Sequence, residues 1–208
     1  MTIGSDTAPV ILSIGHSTLA YDQFLARLTQ AGATAVADVR TTPFSRHFPQ
    51  FNRDVLKTAL TNDGIAYVFL GDELGGRPSE AESYTDGVAD YEKMARSPSF
   101  QRGLDRLKQG ARTHRIAMMC SERNPLDCHR CLLVGRALKQ AGVAVEHIVD
   151  EGERPTQDDI EARLMAMANK FNTDMFAGEA QLLSDAYRDR ARRVAYAEQH
   201  PDPALAAS

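Results

Sequence analysis

The chain has 208 residues and a mass of 22.9 kDa, with 43% hydrophobic, 25% charged and 7% aromatic residues, which excludes a collagen-like or wholly disordered chain and suits one domain with a full core. A net charge of −4 gives no overall basic footprint for nucleic acid, and three cysteines argue against a disulfide scaffold. No apolar run approaches the roughly 18–20 residues that cross a bilayer, and Met1-Thr2-Ile3-Gly4-Ser5-Asp6 lacks the basic start of a secretory signal, so the expectation is a reduced, cytoplasmic protein without membrane contact.

Short apolar runs alternate with helical patterns along the chain. Residues 10–14 read as a buried strand that stops at Gly15. A helix follows over 21–31, with Phe24, Leu25 and Leu28 at helical spacing and Gly32 as its stop. Residues 34–39 form a second strand, and a polar loop holds Pro43 and Pro49. Asn52 is placed to cap a helix whose apolar face is Val55, Leu56, Ala59 and Leu60, and Asn62-Asp63-Gly64 ends it before a third strand at 65–70.

The stretch 71–83 is polar. Helices are predicted over 84–96 and 99–109, split by Ser97-Pro98, then a fourth strand at 115–119, a helix over 128–140 and a fifth strand at 143–149. Helices over 158–170 and 178–198 make a helical C-terminal extension, with a frayed end at 200–204. The fold class is therefore α/β: three layers, a mostly parallel sheet of about five strands with helices on both faces, plus the extension. The division is residues 1–152 for the α/β domain and 153–208 for the extension, which packs on that domain or on a second subunit of a homo-oligomer.

In open parallel sheets, ligands bind beyond the carboxyl ends of the strands. Four predicted strands end in unusual polar motifs: Gly15-His16-Ser17-Thr18; Asp38-Val39-Arg40 with Pro43, Ser45 and Arg46; Leu74-Gly75-Gly76-Arg77; and Cys120-Ser121-Glu122-Arg123 leading to Cys128-His129-Arg130. A parallel sheet brings all four to one rim. Asp127 is read as the N-cap of the following helix, which sets Cys128, His129 and Arg130 in its first turn. Free N–H groups and the positive helix end there favour an anion and a thiolate, and Arg130 adds a donor fork.

Each motif also has a plainer explanation. Cys120 can be a small buried hydrophobe, as Cys131 is read to be. His16 and Ser17 can close a tight turn, and Arg40 can pair with Asp38. Gly75 and Gly76 let backbone approach a ligand or simply loosen a loop. Of the chain's 24 basic residues 19 are arginines, and Arg188, Arg190, Arg192 and Arg193 read as a solvated helix face. Cys120, Cys128 and His129 offer three metal ligands at a spacing that matches no standard zinc framework, so no metal and no cofactor are predicted. His47, His114, His147 and His200 have no identifiable partner in the sequence.

Together the four motifs resemble the prokaryotic domain-of-unknown-function 488 family over roughly residues 10 to 150. That resemblance implies an α/β fold and possible catalysis at two cysteines, which map onto Cys120 and Cys128. Cys131 lies outside the motif, and the resemblance supplies no reaction.

The leading expectation is an enzyme for an anionic substrate such as a nucleotide, a nucleic-acid end or a phosphorylated metabolite. Cys128 serves as nucleophile or redox thiol, with Cys120 beside it in the catalytic set, and His16 or Glu122 as acid or base. Ser17, Arg40, Arg46, Gly75, Gly76, Arg77, His129 and Arg130 contact the anion. The alternatives are a nucleic-acid or protein-binding module without catalysis, a Cys120–Cys128 redox sensor, and a rhodanese-like sulfur carrier on Cys120.

Overall fold

A computed structural model describes residues 9–150, 152–168 and 178–198. The chain begins with β1 (Val10–Gly15), α1 (Tyr21–Gln30), β2 (Ala35–Asp38), α2 (Arg53–Asn62) and β3 (Ala66–Phe69). A one-turn helix α3 (Gly71–Leu74), the strand pair β4 (Tyr84–Thr85) and β5 (Val88–Ala89), and helices α4 (Tyr91–Arg96) and α5 (Pro98–Gly110) follow. Next come β6 (Ile116–Cys120), α6 (Arg136–Gln140), β7 (Ala144–Ile148), α7 (Gln157–Ala168) and α8 (Glu179–Val194).

Five strands make one parallel sheet in the order β3-β2-β6-β1-β7. Both faces are covered. Leu12, Ile14, Val36, Ala117 and Met119 point to Phe24, Leu28, Leu56 and Leu60 of α1 and α2. Ile11, Ala37, Met118 and Val145 face the opposite layer, with Leu104 of α5, Leu138 of α6, Ile160 and Leu164 of α7, and Tyr187 of α8. Burial on two sides is why these strands read as unbroken apolar runs. The last two helices thus share a core with the sheet. No described helix is long and apolar enough to cross a membrane.

Several local expectations need correction. The helix expected over 84–96 starts only at Tyr91, because Asp86 and Gly87 take positive φ (53° and 73°) and turn a hairpin between β4 and β5. Asp90 then caps α4 by accepting from the N–H groups of Glu92 and Lys93. Asn52 does not cap α2; its side chain accepts from the Ser45 N–H at 2.6 Å. The helix expected over 128–140 opens as a wider π-helical turn, Arg130–Gly135, before α6. Asp127 is not its cap: it ends a 3-10 turn, Pro125–Asp127, that Asn124 caps, and it pairs with Arg190.

The segment after α8 is not helical to 198. It runs along the hairpin edge, with Ala89 N–H donating to the Tyr196 carbonyl and Glu198 N–H to the Gly87 carbonyl, both at 2.8 Å. Residues 1–6, 169–170 and 200–204, on which expectations were placed, lie outside the described residues.

Candidate functional site

β6 lies between β2 and β1, so its carboxyl end is the centre of the rim. The ladder continues past the strands: His16 N–H donates to Cys120 C=O and Ser17 N–H to Ser121 C=O, both at 2.9 Å, and Val39 N–H to Met119 C=O at 3.1 Å. A side chain at Gly15 would collide with the Glu122 carbonyl, so glycine lets this loop cross β1.

The loop returns at Cys128, whose backbone is extended (φ −137°, ψ 138°) and whose carbonyl accepts from Cys131 and Leu132 N–H. Its Sγ accepts from the Arg130 N–H at 3.4 Å, so the sulfur stands where a capping oxygen would. Both Cys120 Sγ and Cys128 Sγ lie 2.9 Å from one oxygen, Oε2 of Glu122. His129 Nδ1 is 3.7 Å from Cys120 Sγ and 3.9 Å from Cys128 Sγ. Its Nε2 lies 2.9 Å from the Val39 carbonyl, which has only lone pairs to offer, so Nε2 carries the proton. The four donor atoms of Cys120, Glu122, Cys128 and His129 all lie within 4.8 Å of one another and could hold a metal ion.

Burial opposes ionisation of Cys128, yet Cys120, the Arg130 charge and His129 bring its pKa well below the ordinary thiol value. Burial and the adjoining Cys128 push Cys120 the other way. Burial and the Cys128 charge raise the pKa of Glu122. The two shifts run in opposite directions.

Cys120, Glu122 and His129 open onto a cleft of about 350 Å³, while Cys128 sits behind them. Arg40, Gly76 and Arg77 line the same cleft, with Thr41, Thr42 and Ser121. Gly76 has a packing reason for being glycine: a Cβ there would come within 2.9 Å of the His129 ring. At Gly75 a Cβ would collide with Thr41. Gly76 therefore seats His129, and Gly75 makes room for Thr41. Val194 and Tyr196, from the end of α8 and beyond, form part of the wall, and the Arg77 guanidinium lies 4.8 Å from the Tyr196 ring centre.

Other residues singled out from the sequence serve as braces. Arg40 grips buried Asp38 with two nitrogens, at 2.9 and 2.6 Å, and donates to the Phe51 carbonyl. His16 is stacked on Phe51, donates from Nδ1 to the Ser17 carbonyl, and accepts from Arg40 at Nε2 (3.2 Å). Burial and Arg40 lower its pKa to about 4, so it is neutral with both ring nitrogens occupied. Ser17 takes φ +46° in the turn. Arg46 is exposed and outside the cleft lining. Arg130 is wholly buried and donates to Ser13 Oγ, the Glu122 carbonyl and the Arg123 carbonyl. The arginines of α8 are less free than a solvated face implies: Arg190 pairs with Asp127, Arg188 with Glu92 and Asp185, and Arg192 with Asp86.

One network escaped the sequence reading. Arg130 Nε–H donates to Ser13 Oγ, whose hydroxyl donates to His147 Nδ1 (3.1 Å each). His147 Nε2–H donates to Gln157 Oε1 at 2.8 Å, Gln157 Nε2–H to Tyr187 Oη at 2.7 Å, and Tyr187 to Glu161 Oε1 at 2.9 Å. Arginine only donates and carboxylate only accepts, so the two ends fix every proton between them. Cys131 is buried beside this chain, its pKa pushed up by burial to about 12. The available signal was Ser13 and His147, two polar residues in apolar strands, which pair across β1 and β7.

No curated protein and no solved structure matches the chain. A family model described as "Domain of unknown function DUF488" matches residues 20–137, a narrower span than the motifs suggested but one that holds the whole cluster, and the chain belongs to that family.

Proposed function

We propose that the protein is an enzyme that admits a small anionic substrate to the cleft and transforms it at the Cys120–Glu122–Cys128–His129 cluster. The observation that carries this reading is the meeting, in one cleft, of the Cys120–Glu122–His129 floor, with Cys128 behind it, and an uncompensated cation at the mouth. Asp38 neutralises Arg40 and Arg190 neutralises Asp127. Among the described residues Arg77 is then the cleft arginine without a carboxylate partner. A guanidinium fork suits phosphate or carboxylate, at about 1.5–3 kcal/mol per charge-assisted bond. The hydroxyls of Thr41, Thr42 and Ser121 add neutral donors at the same opening.

The cleft volume suits a metabolite. A polynucleotide is disfavoured because the arginines of α8 are largely tied in ion pairs and the net charge is −4.

The test is thermal unfolding with inorganic phosphate, pyrophosphate, citrate or AMP. At least one should raise Tm saturably, and Arg77→Ala, at an exposed position, should weaken that anion about tenfold or more. No response to any of the four, or an Arg77→Ala chain that responds like the parent, overturns the reading.

A further inference from the structure

We infer that Cys120, Cys128, His129 and Glu122 form the binding site of a single divalent transition metal of the zinc class, on the floor of the cleft. This deepens the proposed function by naming the cofactor of that cluster, and it is tested without reference to the anion.

Three observations support it. The first is convergence. Tetrahedral ligands at zinc bond lengths stand roughly 3.5 Å apart. Here the imidazole nitrogen is 3.7 and 3.9 Å from the two sulfurs, the carboxylate oxygen is 2.9 Å from each, and all four atoms fit within 4.8 Å. Small shifts of flexible side chains would admit an ion between them.

The second is the orientation of His129. Its Nε2–H is committed to the Val39 carbonyl, which leaves the Nδ1 lone pair aimed at the sulfurs. Metal-bound histidines are tied through their other nitrogen in this way. The ring lies directly against Gly76, where a Cβ would come within 2.9 Å of it.

The third is charge. Arg130 is a buried cation whose guanidinium meets only neutral oxygens, and no carboxylate among the described residues pairs with it. A buried charge needs a counter-charge nearby, and the acid groups beside this one are the sulfurs of Cys128 and Cys120. Two thiolates and a carboxylate around a divalent ion carry one net negative charge, which offsets Arg130. The Arg130 backbone N–H already points at Cys128 Sγ, as a hydrogen bond to a metal-bound sulfur would.

Soft thiolates with imidazole select zinc-class ions over magnesium or calcium. Loading would send the protons still held by the two sulfurs to solvent as the metal–sulfur bonds form. Cys120, Cys128 and His129 are buried, whereas Glu122 is exposed, so the Glu122 position is the one open to water or substrate.

The experiment is metal analysis of the full chain, purified without metal affinity columns, followed by cobalt(II) loading of the stripped protein. One equivalent of metal should bind. The cobalt form should show thiolate-to-metal charge transfer in the near ultraviolet and the intense visible bands of a tetrahedral ion. Cys120→Ser and His129→Gln should each weaken cobalt binding by about tenfold or more, whereas Cys131→Ser should leave the spectrum unchanged. Glu122→Gln should keep the charge-transfer band and shift the visible bands. Circular dichroism checks that each variant is folded, and if one is not, the parent spectrum decides.

A folded parent that binds no cobalt overturns the inference. So does binding unaffected in a folded Cys120→Ser chain, or a Cys120–Cys128 disulfide in the freshly purified protein. Anion stabilisation lost in Arg77→Ala can survive each of these results, and cobalt binding can survive the loss of anion binding, so the two failures are distinguishable.

Discussion

Arg130 joins two buried polar regions that differ in kind. From its side chain runs the relay Ser13–His147–Gln157–Tyr187–Glu161, sealed between the sheet and helices α7 and α8, where each proton has one acceptor. From its backbone N–H begins the cluster of Cys128, Cys120, Glu122 and His129, where electron-rich atoms crowd together and face a cleft. A satisfied hydrogen-bond chain holds a fold in one arrangement. A convergence of acceptors with few protons is held in place by its surroundings, and it is where an ion or a reaction belongs. Relay substitutions should therefore change stability, and cluster substitutions chemistry.

The largest effect is expected where the regions meet. Arg130→Ala strips the partners from Ser13 and two carbonyls and leaves a cavity, so it should destabilise the protein by about 3–5 kcal/mol in urea unfolding. A loss below about 1 kcal/mol would show that the relay does not depend on its cation.

Acid comes next. Burial holds His147 and His16 at pKa values of about 4, against 6.5 for the free side chain. Between those values the unfolded chain binds more protons than the folded one, so stability falls as pH drops from 6.5 toward 4. For His147 the loss should reach about 3 kcal/mol across the window. Urea midpoints measured along a pH series check this, and a flat series down to the lower pKa would contradict it.

The smallest effect sharpens the contrast. Tyr187→Phe removes the link to Glu161 and the acceptor of Gln157 Nε2–H and should cost about 1–2 kcal/mol, while thiol reactivity of the stripped protein toward a cysteine reagent stays unchanged. Altered reactivity would mean that the relay reaches the cluster.

Much of the rim was legible in the sequence because period and position are local. Five apolar runs implied a parallel sheet, and the motifs after β1, β2, β3 and β6 do meet at its carboxyl edge. Roles within the rim were less legible. Arg40, His16 and Arg130 carry the residue types of an anion site; Arg40 is consumed by Asp38, a pairing the sequence already offered, whereas His16 and Arg130 are consumed by partners distant in sequence, as in the His16–Phe51 stack and the Arg130–Ser13 bond. The hairpin at Asp86-Gly87 had a readable turn signal, but the helical pattern that follows obscured it.

The sequence by itself determined the α/β architecture, the family, and the pair of cysteines at the end of one strand and the start of the next helix. Apolar periodicity, turn chemistry and short motifs act over a few residues, so they survive in one dimension. Only the tertiary structure decided which charged groups are braces and which are free. It also turned His129 against two sulfurs and built the relay and the Tyr196 wall. Hydrogen bonds and cleft walls depend on atoms that the chain separates by up to 134 residues, and no local pattern encodes their meeting.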